Sequence, residues 1–174
     1  MVFMDAATIQ KITNLESLRA FLSSHPELGA RDAMLTHYAE MGMQLSFRSS
    51  RDAPIHAHGT NLGSVDCAWN SPHNVPVVAL ELELGEREEM LGAVWKLAEL
   101  APELAVIIVN SADVLEQTKS LLLRSKLTRA LTQTFLIFEI ETGRSELINK
   151  RAPSREGLRR KVIHGTRHEH KEQD

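Results

Sequence analysis

The sequence predicts an α/β protein with a mixed central sheet and helices on both of its faces. Residues 75–84 begin as an almost uninterrupted apolar run, which is typical of a strand buried on both faces. Residues 75–141 then alternate strand, helix, strand, helix and strand patterns, as parallel crossover units do. Residues 65–69 form a strand pattern that precedes the turn-forming segment 70–74, so they predict an antiparallel hairpin with the buried strand.

The first 48 residues predict two helices and one strand behind a loosely held lead-in, residues 1–13. Asn14 is a typical N-cap, and Pro26 disfavours helix in the residue before it. Gly42 predicts the C-terminal cap of the second helix. The predicted bounds are 14–25 for the first helix, 28–41 for the second and 44–48 for the strand.

Residues 49–63 are polar and contain glycine and proline, so they predict a loop or a loose hairpin with a short strand at residues 55–58. Gly85 ends the buried strand, and the helix that follows has Leu91, Val94, Trp95 and Ala98 facing inward. Ser111 caps the next helix. The remaining predicted elements are helix 86–100, strand 105–110, helix 112–131 and strand 135–140; the pattern after Gly143 is weak.

Composition limits the class of protein. The chain has 174 residues, 43% of them hydrophobic, which suits one compact domain. Its single cysteine, Cys67, rules out an intramolecular disulfide and is more typical of a small core residue than of a nucleophile. No apolar segment approaches the ~20 residues of a membrane span, and no secretory signal is evident. We therefore expect a cytoplasmic protein with no membrane partner.

Charge divides the chain into a domain, 1–149, and a basic tail, 150–174. The tail has eight Lys or Arg and four Asp or Glu, a net charge of +4, so with an overall charge of −3 the domain carries −7. Such a tail is either an electrostatic contact for a polyanion such as nucleic acid or a solvated terminus. The tail residues predicted to bind nucleic acid are Arg155, Arg159, Arg160 and Lys161.

Acidic residues mark the end of the buried strand. Glu81 and Glu83 project from one side of it and Leu82 from the other, since strand side chains alternate. Asp66 lies on the preceding strand, and pairing about a turn centre near residue 72 places it opposite residue 78, so contact with Glu81 requires a bulge or a shifted register. Carboxylates, a backbone carbonyl such as that of Leu82 and water form a normal Mg²⁺ shell.

The hairpin and its acids resemble the PD-(D/E)xK nuclease superfamily, whose fold is called restriction-endonuclease-like. The segments that carry this resemblance are Val65-Asp66-Cys67-Ala68-Trp69 and Val77-Val78-Ala79-Leu80-Glu81-Leu82-Glu83, in which Glu-x-Glu replaces Glu-x-Lys. The next helix, the strand at Val106 and the opening helix and strand also agree. The resemblance covers residues 28 to 141.

The resemblance implies a metal-dependent nuclease, either an endo- or an exodeoxyribonuclease, with DNA as partner and a homodimer left open. Asp66, Glu81 and the Leu82 carbonyl would bind Mg²⁺ or Mn²⁺, and Glu83 would occupy the position of the lysine that assists the attacking water. That missing lysine is the main departure, together with Val65 in place of proline. A second metal, or a cation from Arg87 or Lys96, would have to supply its charge.

Other interpretations remain open at this point. Without the lysine, the chain can instead be a catalytically impaired module that binds nucleic acid or a protein. Glu81 and Glu83 can be ordinary acids paired with Arg or Lys, and Glu139 with Glu141 is a rival pair. Further residues considered are Asp32 or Glu40 as an additional acid, His56 and His58 as a polar loop rather than metal ligands, and Trp69 and Trp95 as core residues.

Overall fold

The structure is a computed structural model that describes residues 5–57, 59–84, 87–125, 128 and 130–149. The described helices are α1 (Ala6–Ile12), α2 (Leu15–Ser24), α3 (Ala30–Gln44), α4 (Arg87–Leu100) and α5 (Ala112–Arg124). The strands are β1 (Arg48–Ala57), β2 (Thr60–Asn70), β3 (Pro76–Glu83), β4 (Leu104–Val109), β5 (Thr134–Glu139) and β6 (Ser145–Asn149). The α/β class is therefore confirmed.

The described strands form one six-stranded mixed sheet in the order β1-β2-β3-β4-β5-β6. Strands β1, β2 and β3 pair antiparallel, as the predicted hairpin requires, and β3, β4 and β5 pair parallel. Strand β6 pairs antiparallel with β5 and was not predicted, because its short, half-exposed sequence has little apolar pattern. Helices α4 and α5 are the crossovers between parallel strands.

Two cores lie on opposite faces of the sheet. Helices α1, α2 and α3 pack on one face with the side chains of Trp69, Leu80 and Leu82, and helices α4 and α5 pack on the other. Strand β3 is buried along both faces, as its apolar run predicts. Within the described residues, no helix is both long and apolar enough to cross a membrane.

Helix α3 contacts the sheet through a glycine and a tryptophan. A Cβ on Gly42 would lie 2.6 Å from Cδ1 of Trp69, and the Trp69 indole donates a hydrogen bond to the Tyr38 carbonyl at 3.0 Å. The prediction that Gly42 caps this helix is wrong, because α3 continues to Gln44. Gly42 is required instead by the close approach of the indole.

Of the two alternatives predicted for residues 49–63, a loop or a loose hairpin, the hairpin is confirmed, although its strands are longer than the short strand expected at residues 55–58. The described residues of this segment belong to the β1–β2 hairpin, which turns around Gly59, and Gly59 has a φ of +79°. The segment is polar because β1 lies at the sheet edge, where charged residues and proline are tolerated. Pro54 occupies that edge strand beside a shift in register. The strand predicted at 44–48 is consequently the end of α3 and the start of β1.

Helix bounds and faces agree only in part with expectation. The N-caps Asn14 and Ser111 are confirmed, each accepting a backbone N–H from the first turn. The lead-in contains α1, and α5 ends at Arg124 rather than at residue 131. The inward stripe of α4 consists of Met90, Ala93, Val94 and Leu97, whereas Leu91 and Trp95 are 45% and 46% exposed.

Candidate active site

Strands β2 and β3 bring Asp66 and Glu81 close together. Their ladder pairs Trp69 with Val78 and ends at the pair of Cys67 with Leu80, so Asp66 and Glu81 are the residues directly beyond its last pair. The expected partner, residue 78, is wrong by three residues. The turn lies later in the chain than residue 72, closed by a hydrogen bond from Ser71 N to the Val75 carbonyl, and the register shifts after Trp69.

The Asp66 carboxylate binds the backbone of β3. Its Oδ2 accepts a hydrogen bond from the Leu82 N–H at 2.7 Å. Leu82 lies beyond Cys67–Leu80, the last residue pair of the ladder, so the carboxylate takes the place that a strand carbonyl would otherwise fill. Asp66 is therefore fixed to the backbone of the residue next to Glu81.

Arg31, in the first turn of α3, bridges Asp66 and Leu82. Its Nη2 donates to both Asp66 oxygens, at 2.6 and 2.7 Å, and its Nη1 donates to the Leu82 carbonyl at 2.8 Å. The Asp66 side chain is 13% exposed, whereas that of Arg31 is 52% exposed. The guanidinium thus lies between solvent and the acids, at what we call the mouth of the site, and its nitrogens contact the Asp66 carboxylate and the Leu82 carbonyl.

Glu81 is almost completely buried, at 1% exposure. Its Oε2 accepts a hydrogen bond from Lys96 Nζ at 2.9 Å, while Oε1 has no hydrogen-bond partner among the described residues. The pKa of Glu81 is raised from its ordinary 4.5 to about 7: burial is the largest cause, the hydrogen bond from Lys96 lowers it, and the charges of Asp66 and Glu83 raise it. Asp66 and Glu83 therefore both lie within electrostatic range of Glu81.

Glu83 shares the Glu81 face of β3. It is 7% exposed, and Leu82 packs into the opposite core, as strand alternation predicts. Lys96 reaches Glu81 from α4, the helix on the Glu81 side, whereas Arg31 comes from the other helical layer. Two cations thus approach the acids from the two faces of the sheet.

The additional acids from α3 do not join this group. Asp32 forms an ion pair with Arg51 at 2.6 Å on the surface, and Glu40 lines a cavity with Phe21 and His37 between α2 and α3. The residue that sequence reasoning missed is Arg31, directly before Asp32. The sequence feature that could have identified it is a positively charged residue in the first turn of a helix, where the helix dipole favours negative charge.

Glu139, the first acid of the rival pair, has a structural role. Glu139 is buried and accepts hydrogen bonds from the backbone N–H groups of Glu141 and Thr142 and from the Thr142 hydroxyl. Burial opposes its ionisation, but those hydrogen bonds hold the pKa of Glu139 below its ordinary value. Glu139 therefore closes the β5–β6 turn.

Several predicted residues are found elsewhere or lie outside the described part of the chain. Cys67 is buried, and burial raises the pKa of its thiol to about 11, as a core cysteine requires. Trp69 is a core residue as predicted, but Trp95 is not. The predictions that lie outside the described residues concern His58, the side chain of Arg87, and the tail residues Arg155, Arg159, Arg160 and Lys161.

Among the described residues, no group of three or more His, Cys, Asp or Glu side chains has the geometry to hold a metal ion as the side chains now stand. The donors are nevertheless of the type that Mg²⁺ prefers, and one buried oxygen, Oε1 of Glu81, has no protein hydrogen-bond donor among the described residues. Comparison of the chain with protein-family models, with the curated proteins and with the solved structures found no match.

Proposed function

We propose that this protein is a metal-dependent nuclease that hydrolyses DNA phosphodiester bonds on a restriction-endonuclease-like fold. One observation carries the proposal: the Asp66 carboxylate on β2 accepts a hydrogen bond from the backbone N–H of Leu82, the residue directly after Glu81 on β3, and it lies within electrostatic range of Glu81. The order of the sheet and the α4 crossover after the acidic strand also support it.

The residues present fit a divalent cation. Asp66, Glu81 and the Leu82 carbonyl would hold Mg²⁺ or Mn²⁺. Oε1 of Glu81 has no hydrogen-bond partner among the described residues, and a carboxylate oxygen is a preferred ligand of these ions. When bound, such an ion lowers the pKa of a water molecule and neutralises charge on a phosphate. The dry surroundings of Glu81 strengthen its attraction to any cation.

Lys96 provides the positive charge that the Glu-x-Glu sequence lacks. Its Nζ lies 2.9 Å from Glu81 and its side chain is 33% exposed, so the ammonium group is beside the acids and within reach of solvent. An ammonium group there can donate a hydrogen bond to a phosphate oxygen as negative charge develops on it. Glu83, on the same face, would accept a hydrogen bond from the attacking water and orient it.

The test is cleavage of supercoiled and linear DNA in Mg²⁺ or Mn²⁺. We expect wild-type cleavage that needs the metal, and its loss in the Asp66→Ala, Glu81→Ala double variant. Asp32→Ala is the matched control, because it removes a surface carboxylate that is paired with Arg51 rather than with a cation of the site. Equal cleavage by wild type and double variant would refute the proposal.

A second candidate function is a catalytically impaired nucleic-acid-binding module. The observation that favours it is that Asp66 and Glu81 each already have a cation, Arg31 and Lys96 respectively. This candidate predicts DNA binding that weakens with salt and no metal-dependent turnover. Both candidate functions include contact between the basic tail and the DNA phosphates.

The tail's role can be measured in the full chain. Replacing Arg155, Arg159, Arg160 and Lys161 by glutamine should weaken DNA binding and make the plot of log affinity against log salt concentration shallower by up to about 4, since each neutralised phosphate contributes about 0.9. An unchanged slope would exclude these four residues from phosphate contact.

A further inference from the structure

The guanidinium of Arg31 occupies a position suited to a cation at the mouth of the site. It contacts the Asp66 carboxylate through one nitrogen and the Leu82 carbonyl through the other, at 2.6 to 2.8 Å. These are two of the three ligands assigned above to the divalent ion. A metal bound to both groups would bring a second positive charge against the Arg31 guanidinium, so the two cations compete for the same carboxylate and carbonyl.

The position of Arg31 in α3 is unfavourable for the helix itself. Arg31 lies in the first turn, where exposed N–H groups and the helix dipole favour negative charge, and α3 has no side-chain N-cap at Gly29. Its neighbour Asp32 is the residue type that suits this turn. The contacts with Asp66 and Leu82, rather than helix stability, account for an arginine at this position.

The side chain of Arg31 is also free to leave. It is 52% exposed, so the guanidinium can move into solvent without opening either core. Asp66 would then keep its hydrogen bond from the Leu82 N–H and remain in place. Lys96 differs in this respect, because it occupies only Oε2 of Glu81 and leaves Oε1 available.

We propose that Arg31 is a built-in competitor of the divalent cation, holding the site closed until the metal displaces it. The inference rests on the proposed function, because it takes the Asp66, Glu81 and Leu82 ligands from there. Its consequence is a metal affinity lower than these ligands would otherwise give, so that the protein loads only where the divalent ion is plentiful.

The experiment is a Mn²⁺ titration of the full chain, followed by calorimetry and by the loss of the free-ion electron paramagnetic resonance signal. We expect Arg31→Met to bind Mn²⁺ at least 10-fold more tightly than wild type. Arg51→Met is the matched control, since it breaks a 2.6 Å arginine–aspartate pair on the neighbouring surface, and its Mn²⁺ affinity should equal that of wild type. Adding Asp66→Ala to Arg31→Met should abolish the gain.

The outcomes separate this inference from the proposed function. Equal Mn²⁺ affinity of wild type and Arg31→Met overturns the role of Arg31 and leaves the nuclease proposal standing. Tighter binding by Arg31→Met without DNA cleavage by either protein supports the role of Arg31 and refutes the nuclease. No Mn²⁺ binding by any variant refutes both. If Arg31→Met does not fold, Arg31→Lys provides the test, because lysine keeps the positive charge but cannot contact Asp66 and Leu82 at the same time through two nitrogens. The Arg31→Lys protein should bind Mn²⁺ more tightly than wild type. Equal affinity of the two proteins would overturn the role of Arg31.

Discussion

Glu81 is a carboxylate whose surroundings favour its neutral form. It is 1% exposed, it has two other acids nearby, and its ion pair with Lys96 occupies one oxygen. Its pKa of about 7 means that ionisation becomes substantial near neutral pH. A bound cation would need the ionised form of Glu81. Ionising this buried carboxylate costs free energy, and the attraction of a metal ion, or of Lys96 when no metal is bound, offsets that cost.

Because ionisation of Glu81 costs free energy, we expect the folded protein to become less stable as the pH rises. The folded-state pKa of Glu81 is raised, so its contribution is fully present below pH 4.5 and is lost as the pH rises through about 7. Glu81→Gln removes the titration. Between pH 5 and pH 8 in chelator, we expect the free energy of unfolding of wild type to fall by about 2 kcal/mol relative to Glu81→Gln, measured by urea unfolding.

Glu146→Gln is the control for that measurement. Hydrogen bonds from Lys119 and Arg144 lower the pKa of Glu146, so its stabilising contribution is present above pH 4.5 and is lost only at lower pH. The difference between this variant and wild type should stay constant from pH 5 to pH 8. A Glu81→Gln difference that is also constant would contradict the buried, raised-pKa description of Glu81.

Individual elements show what the sequence could and could not predict. The β3 run and the Ser111 cap are local signals, and both were confirmed. The inner face of α4 was not predictable by spacing, because its apolar residues form two adjacent stripes that share Val94. The β2–β3 register could not be predicted, because it depends on a shift after Trp69 that no residue type in the sequence indicates.

Helix α3 packs closely on the sheet where Gly42 meets Trp69. Gly42→Ala places a methyl group against the Trp69 indole, 2.6 Å from Cδ1, and the buried ring has little room to move. We expect a loss of about 1 to 3 kcal/mol in the free energy of unfolding. Denaturant unfolding with tryptophan fluorescence measures it.

Gly92, within α4, is the matched control. A Cβ there meets no atom within 4 Å, so Gly92→Ala should stabilise the protein by about 0.5 to 1 kcal/mol through helix propensity. If both substitutions changed stability equally, the Gly42–Trp69 contact would not be what requires glycine in α3.

The candidate site lies where side chains from the two helical layers reach strands β2 and β3. Arg31 comes from the layer of α1, α2 and α3, and Lys96 from the layer of α4 and α5. The acids themselves were predictable from strand alternation and the hairpin. Arg31 was not, because its contact with Leu82 spans 51 residues of sequence and depends on how α3 packs.

The proposed function requires Asp66 and Glu81 to bind one divalent cation together. Anomalous scattering from a crystal of the full chain soaked in Mn²⁺ above pH 7, where Glu81 is mostly ionised, tests this requirement. We predict a peak between the two carboxylates and beside the Leu82 carbonyl, with the Arg31 guanidinium displaced. Density that keeps Arg31 on Asp66 and Lys96 on Glu81, with no anomalous peak between the two acids, would show that these acids do not bind the ion.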